Sequence, residues 1–232
     1  MKTIGVLGGM GPEATGRFFD LLIRNTAADR DQDHVPVLIF SCPQIPDRTE
    51  GLVGDGPSPL PELIKGAMAL QAGGADFGVI PCITAHYFYA DLVASSSLPF
   101  LSLVSEAVEY VRRERSEVRN IGLLATIGTL RSRILEDPFR SAGLAVTISC
   151  PAEQDEFMEA VHDIKRGAGV ENARSVMAGM ADKLIGRGAE AVLAGCTEVP
   201  LALGAEDLRV PFIDPMLIAA RECIARAGGK LR

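Results

Sequence analysis

The sequence holds no apolar run approaching the roughly 18–20 residues that a membrane span requires, so a membrane is not an expected partner. It also lacks any basic stretch. Its 23 Lys and Arg face 30 Asp and Glu, a net charge of −7, and nucleic acid is not expected either. The five cysteines are an odd number and contain no CxxC. A disulfide framework or a structural metal centre is therefore not expected, and reduced thiols in the cytoplasm are. The apolar start, residues 1–9, has no alanine-type cleavage site and runs into a glycine turn, which reads as a buried strand and not as a signal peptide. What remains is the profile of a soluble globular chain of 232 residues, 47% hydrophobic and 23% charged. At about 100–200 residues per domain, it has room for one large or two small domains.

Short apolar runs alternate with amphipathic stretches along the whole length. Candidate strands are 3–8, 35–41, 76–81, 98–102, 120–125, 144–149, 190–195 and 210–213. They are rich in Val, Ile and Leu and do not alternate, as expected of strands buried on both faces of a helix-covered parallel sheet. The chain also repeats itself. Ile4-Gly5-Val6-Leu7 returns as Ile121-Gly122-Leu123-Leu124, an offset of 117. The helical pattern Leu60, Leu63, Ile64, Ala67, Met68 returns at the same offset as Met177, Met180, Ala181, Leu184, Ile185. Each pattern ends in glycines and leads into a Gly-Ala-acid strand, from Gly74 to Cys82 and from Gly188 to Cys196, eight residues in both cases. The expectation is an α/β protein of two similar lobes. Their boundary falls near 103–119, with one lobe of 1–103 plus 214–232 and the other of 104–213. Residues 43–61, with five prolines and three glycines, read as a long structureless segment that could serve as a lid.

Cys82 and Cys196 each close a predicted buried strand, the end at which open α/β sheets place ligands. Each precedes a predicted helix, whose dipole favours thiolate. If the lobes are related by a pseudo-twofold axis, the two thiols flank one small molecule. That suits two-base proton transfer, with one sulfur taking a proton and the other giving one from the opposite face. The glycine turn of residues 8–15 contains Gly9, Gly11 and Ala14 at GxGxxA spacing, but the acid a dinucleotide site needs is misplaced, so a nicotinamide cofactor is not expected. Gly9 and Met10 read either as a tight strand-to-helix turn or as a backbone nest for a carboxylate. His86 reads as a modulator of Cys82 or as a hydrogen-bonded core histidine. Glu198 reads as a modulator of Cys196 or as a helix cap. Arg48 and Lys165 are candidates for binding a carboxylate.

With these motifs in place, the sequence resembles the cofactor-independent aspartate/glutamate racemase family. The resemblance is carried by residues 8–15, by Ile45-Pro46-Asp47-Arg48-Thr49 and by Pro81-Cys82-Ile83-Thr84-Ala85-His86. It continues at Ile164-Lys165-Arg166-Gly167 and Gly195-Cys196-Thr197-Glu198-Val199-Pro200. It implies two lobes, each with a parallel four-stranded sheet flanked by helices, and an active site between them. It further implies a homodimer acting on a small amino-acid substrate with no cofactor and no metal. Cys82 and Cys196 would be the acid/base pair. Arg48 and Lys165 would surround an acidic substrate, and Thr84, Thr126, Thr129 and Thr197 would line the carboxylate pocket.

One position departs from the family pattern. Ile83 stands where Pro-Cys-Asn-Thr-Ala-His has its asparagine. Isoleucine offers no hydrogen bond, and losing one to substrate costs about 1–3 kcal/mol. The expected activity is amino-acid racemisation, of aspartate or glutamate type. The alternatives are a maleate-type isomerase working on a non-amino diacid, or an inactive relative that binds an amino acid.

Overall fold

The structure, a computed structural model, describes residues 1–232 apart from the side chain of Val53. The chain divides into two compact units, Met1–Glu106 with Met216–Arg232, and Ala107–Pro215.

In the first unit the elements run β1 (Ile4–Gly8), α1 (Pro12–Asn25), β2 (Val37–Ser41), α2 (Glu50–Val53), α3 (Leu60–Ala72), β3 (Phe77–Val79), α4 (Tyr89–Ser95) and β4 (Phe100–Leu101). Helix α5 (Leu103–Glu114) leads out of it. The second unit follows with β5 (Asn120–Ala125), α6 (Ile127–Ser132), α7 (Glu136–Ser141), β6 (Ala145–Thr147), α8 (Pro151–Lys165), α9 (Val170–Gly186), β7 (Ala191–Gly195), α10 (Val199–Ala202) and β8 (Phe212–Ile213). Helix α11 (Pro215–Ala227) returns to the first unit. Every strand pairing is parallel, and the two sheets share one order, β2-β1-β3-β4 and β6-β5-β7-β8. Parallel neighbours need a crossover between them, which is why a helical segment separates each strand from the next.

The sequence repeat reappears as a repeat of contacts. A Cβ on Gly5 would lie 2.9 Å from Ala75 Cβ and 3.3 Å from Leu70 Cδ1. A Cβ on Gly122 would lie 2.9 Å from Ala189 Cβ and 3.1 Å from Leu184 Cβ. Glycine in an inner strand lets the Leu of a later helix and the Ala of the turn after it settle directly on the backbone, with equivalent residues in both units. The acid of each Gly-Ala-acid run ties down the residue that leads into the neighbouring strand. Asp76 Oδ2 accepts from Thr3 N–H at 2.6 Å, and Glu190 Oε2 accepts from Arg119 N–H at 2.5 Å.

Each unit has its own core. In the first, Leu7, Leu63, Ala67, Leu70, Ile80 and Phe88 pack around Cys82. In the second, Phe157, Val161, Met177, Leu184 and Val192 pack in the cluster that includes Cys196. Three expectations need correction. Strands β2 and β6 are not buried on both faces, whereas the opposite edge strands, β4 and β8, are the more covered. Residues 43–61 are not structureless. Ile45 packs into the core, α2 forms, and Asp47 Oδ1 accepts from the N–H groups of Thr49 and Glu50 at 2.8 and 3.0 Å, an Asx turn that fixes the chain. The helices after the cysteines are short, a five-residue 3-10 turn at Thr84–Phe88 and the four-residue α10. Among the described residues no helix is long and apolar enough to cross a membrane.

Candidate active site

In the first unit, β1 delivers the glycine turn. Gly9 has φ of +97°, and a Cβ there would sit 2.4–2.5 Å from the backbone of Cys42, so no other residue fits. Its N–H donates to Thr15 Oγ1 at 2.9 Å, and that hydroxyl donates on to the Gly11 carbonyl at 2.9 Å. The Gly9 N–H is thus spent on the strand-to-helix turn, which favours the first of the two readings of this motif. Met10 contributes differently, since its carbonyl accepts from Arg48 Nη2 at 3.4 Å.

Arg48 is only 9% exposed. Its Nη1 donates to the carbonyls of Ile45 and Pro46 at 3.3 and 3.1 Å, and its buried Nε has no hydrogen-bond partner among the described residues. A buried cation held by carbonyl dipoles alone is incompletely compensated, and an anion is the ligand that completes it.

Cys82, 5% exposed, follows β3 as Ile80-Pro81-Cys82, with its N–H donating to the Ile80 carbonyl at 2.8 Å. Ile83 beside it is 1% exposed, and Thr84 is also buried. His86 meets the Cys82 carbonyl through Nδ1 at 2.8 Å, while Nε2 accepts from Leu103 N–H at 3.0 Å. Since Nε2 is an acceptor, Nδ1 carries the proton and the ring is neutral. Burial pushes its pKa down to about 4, partly offset by hydrogen bonds with the backbone of Cys82 and Ile83. Both ring nitrogens are engaged by backbone, so His86 braces the loop that presents Cys82. Tyr89 stacks on it at 5.6 Å and donates its hydroxyl to the Phe100 carbonyl at 2.6 Å.

In the second unit, β5 ends at Ala125 and is followed by Thr126, the N-cap of α6, whose Oγ1 accepts from Thr129 N–H at 3.3 Å and lies 3.1 Å from Thr129 Oγ1. Both threonines are buried. Cys196, 6% exposed, comes immediately after β7. Its thiol donates to Glu198 Oε2 at 2.8 Å, and the same oxygen accepts from Thr197 Oγ1 at 3.3 Å. Glu198 makes no side-chain cap bond to α10, so its carboxylate belongs to the thiol and not to the helix. The expectation of a helix-activated Cys196 thiolate is overturned. Burial first, then the Glu198 charge, push this thiol well above the ordinary cysteine range, while Lys165 at the end of α8 and the Glu198 N–H pull the other way.

The structure therefore gathers Met10 with Arg48, Cys82 with His86, Thr126 with Thr129, and Cys196 with Thr197, Glu198 and the charge of Lys165. The two thiols occupy equivalent places in equivalent sheets, after β3 and after β7. Sequence reasoning missed two supports. Tyr89 is one. Gln154 is the other, a buried helix residue that donates to the Ala125 carbonyl at 2.9 Å and accepts from Ser149 Oγ at 2.7 Å, fixing the strand end that carries Thr126. A glutamine within an amphipathic helix reads as surface, and no local signal marks it. All five cysteines are free thiols.

Comparison with known proteins adds to this geometry. A model of the family described as Asp/Glu/Hydantoin racemase matches residues 7–223. The broad-specificity amino-acid racemase RacX of Bacillus subtilis (strain 168) is 26% identical over 234 aligned residues, covering 96% of each chain. Among solved structures, Picrophilus torridus aspartate racemase matches with a TM-score of 0.89 and 30% identity, over 100% of this chain and 96% of that one. Glutamate racemase from Francisella tularensis, determined in complex with D-glutamate, shares the fold with a TM-score of 0.69 at 17% identity, over 97% of this chain and 80% of that one.

Proposed function

The chain belongs to the Asp/Glu/hydantoin racemase family, whose racemases are isomerases, and from that premise we propose that it racemises an acidic amino acid by two-base proton transfer between Cys82 and Cys196. The observation that carries this reading is the pair of buried thiols at matching strand ends of two matching sheets. One thiolate removes the Cα proton and the opposing thiol returns a proton to the other face, which inverts the centre without a cofactor. The second carboxylate of aspartate or glutamate falls to Arg48, whose buried Nε lacks a partner, and to Lys165. The hydroxyls of Thr84, Thr126, Thr129 and Thr197 hold the α-carboxylate. Ile83 removes one polar contact from this pocket and leaves an apolar wall there, which broadens the side chains the site tolerates. The relation to a broad-specificity racemase supports that tolerance. The working form in this reading is a homodimer in the cytoplasm.

The test is proton NMR of L-aspartate and of L-glutamate in D2O with the protein and a reductant. Loss of the Cα signal and formation of the D-enantiomer are expected, and formation of the D-enantiomer should be abolished in both Cys82→Ser and Cys196→Ser. Racemisation at the wild-type rate in either variant would sink the two-thiol reading. Persistence of the signal with both substrates, together with turnover of maleate, would replace it with isomerisation of a non-amino diacid.

A further inference from the structure

The two thiols are equivalent by topology and unlike in surroundings. Cys82 has a histidine nearby that is neutral and spent on backbone. Cys196 has a carboxylate on its sulfur, at 2.8 Å and 4% exposed, which makes no cap bond to the helix that follows and is shared only with the Thr197 hydroxyl at 3.3 Å. Resting on the two-thiol reading above, we propose that Glu198 is a positioning residue that holds Cys196 as the protonated, proton-donating thiol of the pair.

The geometry carries this. A hydrogen bond from S–H to a carboxylate exists only while the sulfur keeps its proton, and losing that proton would set two buried negative groups in contact. To deliver its proton, the S–H held on Glu198 turns about the Cβ–Sγ bond toward the substrate Cα. The charged groups acting on Cys196 are Glu198 on its own turn and Lys165 from α8, and the sulfur also receives the Glu198 N–H. The latter two favour thiolate, and the carboxylate opposes them. In turnover, the Cα–H bond breaks as an S–H bond forms on Cys82. The S–H bond of Cys196 breaks as the new Cα–H bond forms on the opposite face. The thiolate then left beside Glu198 is a strong base, ready for the reverse pass. Enantiomers have equal free energy, so kcat/KM is the same in both directions at every pH. Glu198 therefore cannot bias the product ratio, and its influence lies in the alkaline limb of the pH profile, where Cys196 loses its proton.

The experiment is iodoacetamide alkylation of the full chain, followed peptide by peptide from about pH 6 to about pH 10. The native Cys196 midpoint should lie above that of the same cysteine in the urea-unfolded chain. In Glu198→Gln it should fall, and the Cys196 alkylation rate near pH 8 should rise about tenfold for every pH unit the midpoint drops. Glu198→Asp, which keeps the charge, should retain the elevated midpoint, and the alkaline limb of kcat/KM should move with the alkylation midpoint. A native midpoint at or below the unfolded one overturns the proposal without any variant, and so does an unmoved midpoint in a folded Glu198→Gln protein. The alkylation requires no substrate. An elevated, Glu198-dependent midpoint in a protein with no racemase activity would uphold the thiol–carboxylate coupling and overturn the proposed function instead.

Discussion

Acidification should destabilise the fold through His86, by an amount that can be worked from its surroundings. In the folded protein its Nδ1–H serves the Cys82 carbonyl and its Nε2 faces the Leu103 N–H. A second proton would place N–H against N–H and bury a charge. The folded pKa is accordingly about 4, against an ordinary 6.5. Between those two values the unfolded chain binds a proton that the folded chain refuses. The stability this histidine contributes is present above pH 6.5 and is lost as pH falls toward 4. At about pH 5 the loss relative to neutral pH is about 2 kcal/mol, from roughly 1.4 kcal/mol per pH unit across the interval. The assay is urea unfolding at both pH values for the wild type and for His86→Gln. The variant should be less stable at neutral pH and should lack this part of the acid sensitivity. Parallel pH slopes for the two proteins, or a native His86 imidazole that protonates near 6.5 by NMR, would refute the reasoning.

Other perturbations test the repeat and the anion site. Gly122→Val places a side chain 2.9 Å from Ala189 Cβ and 3.1 Å from Leu184 Cβ, and should lower the unfolding free energy by about 1–3 kcal/mol in chemical denaturation. Arg48→Met should leave stability within about 1 kcal/mol of wild type, because it removes an incompletely compensated buried charge together with three long hydrogen bonds to carbonyls. The same change should raise KM for aspartate at least about tenfold, through loss of a charge-assisted contact. A large loss of stability with unchanged KM would make Arg48 a loop support alone.

Much of this was legible in the chain because the signals are local. The eight apolar runs match the eight strands, with ends adjusted by a few residues. The Gly-Ala-acid spacing placed both cysteines at the end of a strand, since a strand's rise and a tight turn leave little freedom over eight residues. The offsets between Gly5 and Gly122 and between Ala75 and Ala189 were visible as text before they became matching 2.9 Å contacts. Arg48 stood out by its motif.

The sequence alone thus determined the α/β class, the doubling of the unit and the equivalent places of Cys82 and Cys196, because each depends on residues close together in the chain. Only the tertiary structure decided the strand order and which edge strands are covered, β4 and β8 more than β2 and β6. It also decided the state of the site's titratable groups. The amide that makes His86 a neutral brace comes from Leu103, seventeen residues away. The Cys196 thiol is raised by the burial of its whole neighbourhood and by a Glu198 carboxylate that the turn after β7 folds back onto the sulfur. Protonation answers to distance and desolvation, and both exist only once the chain has packed.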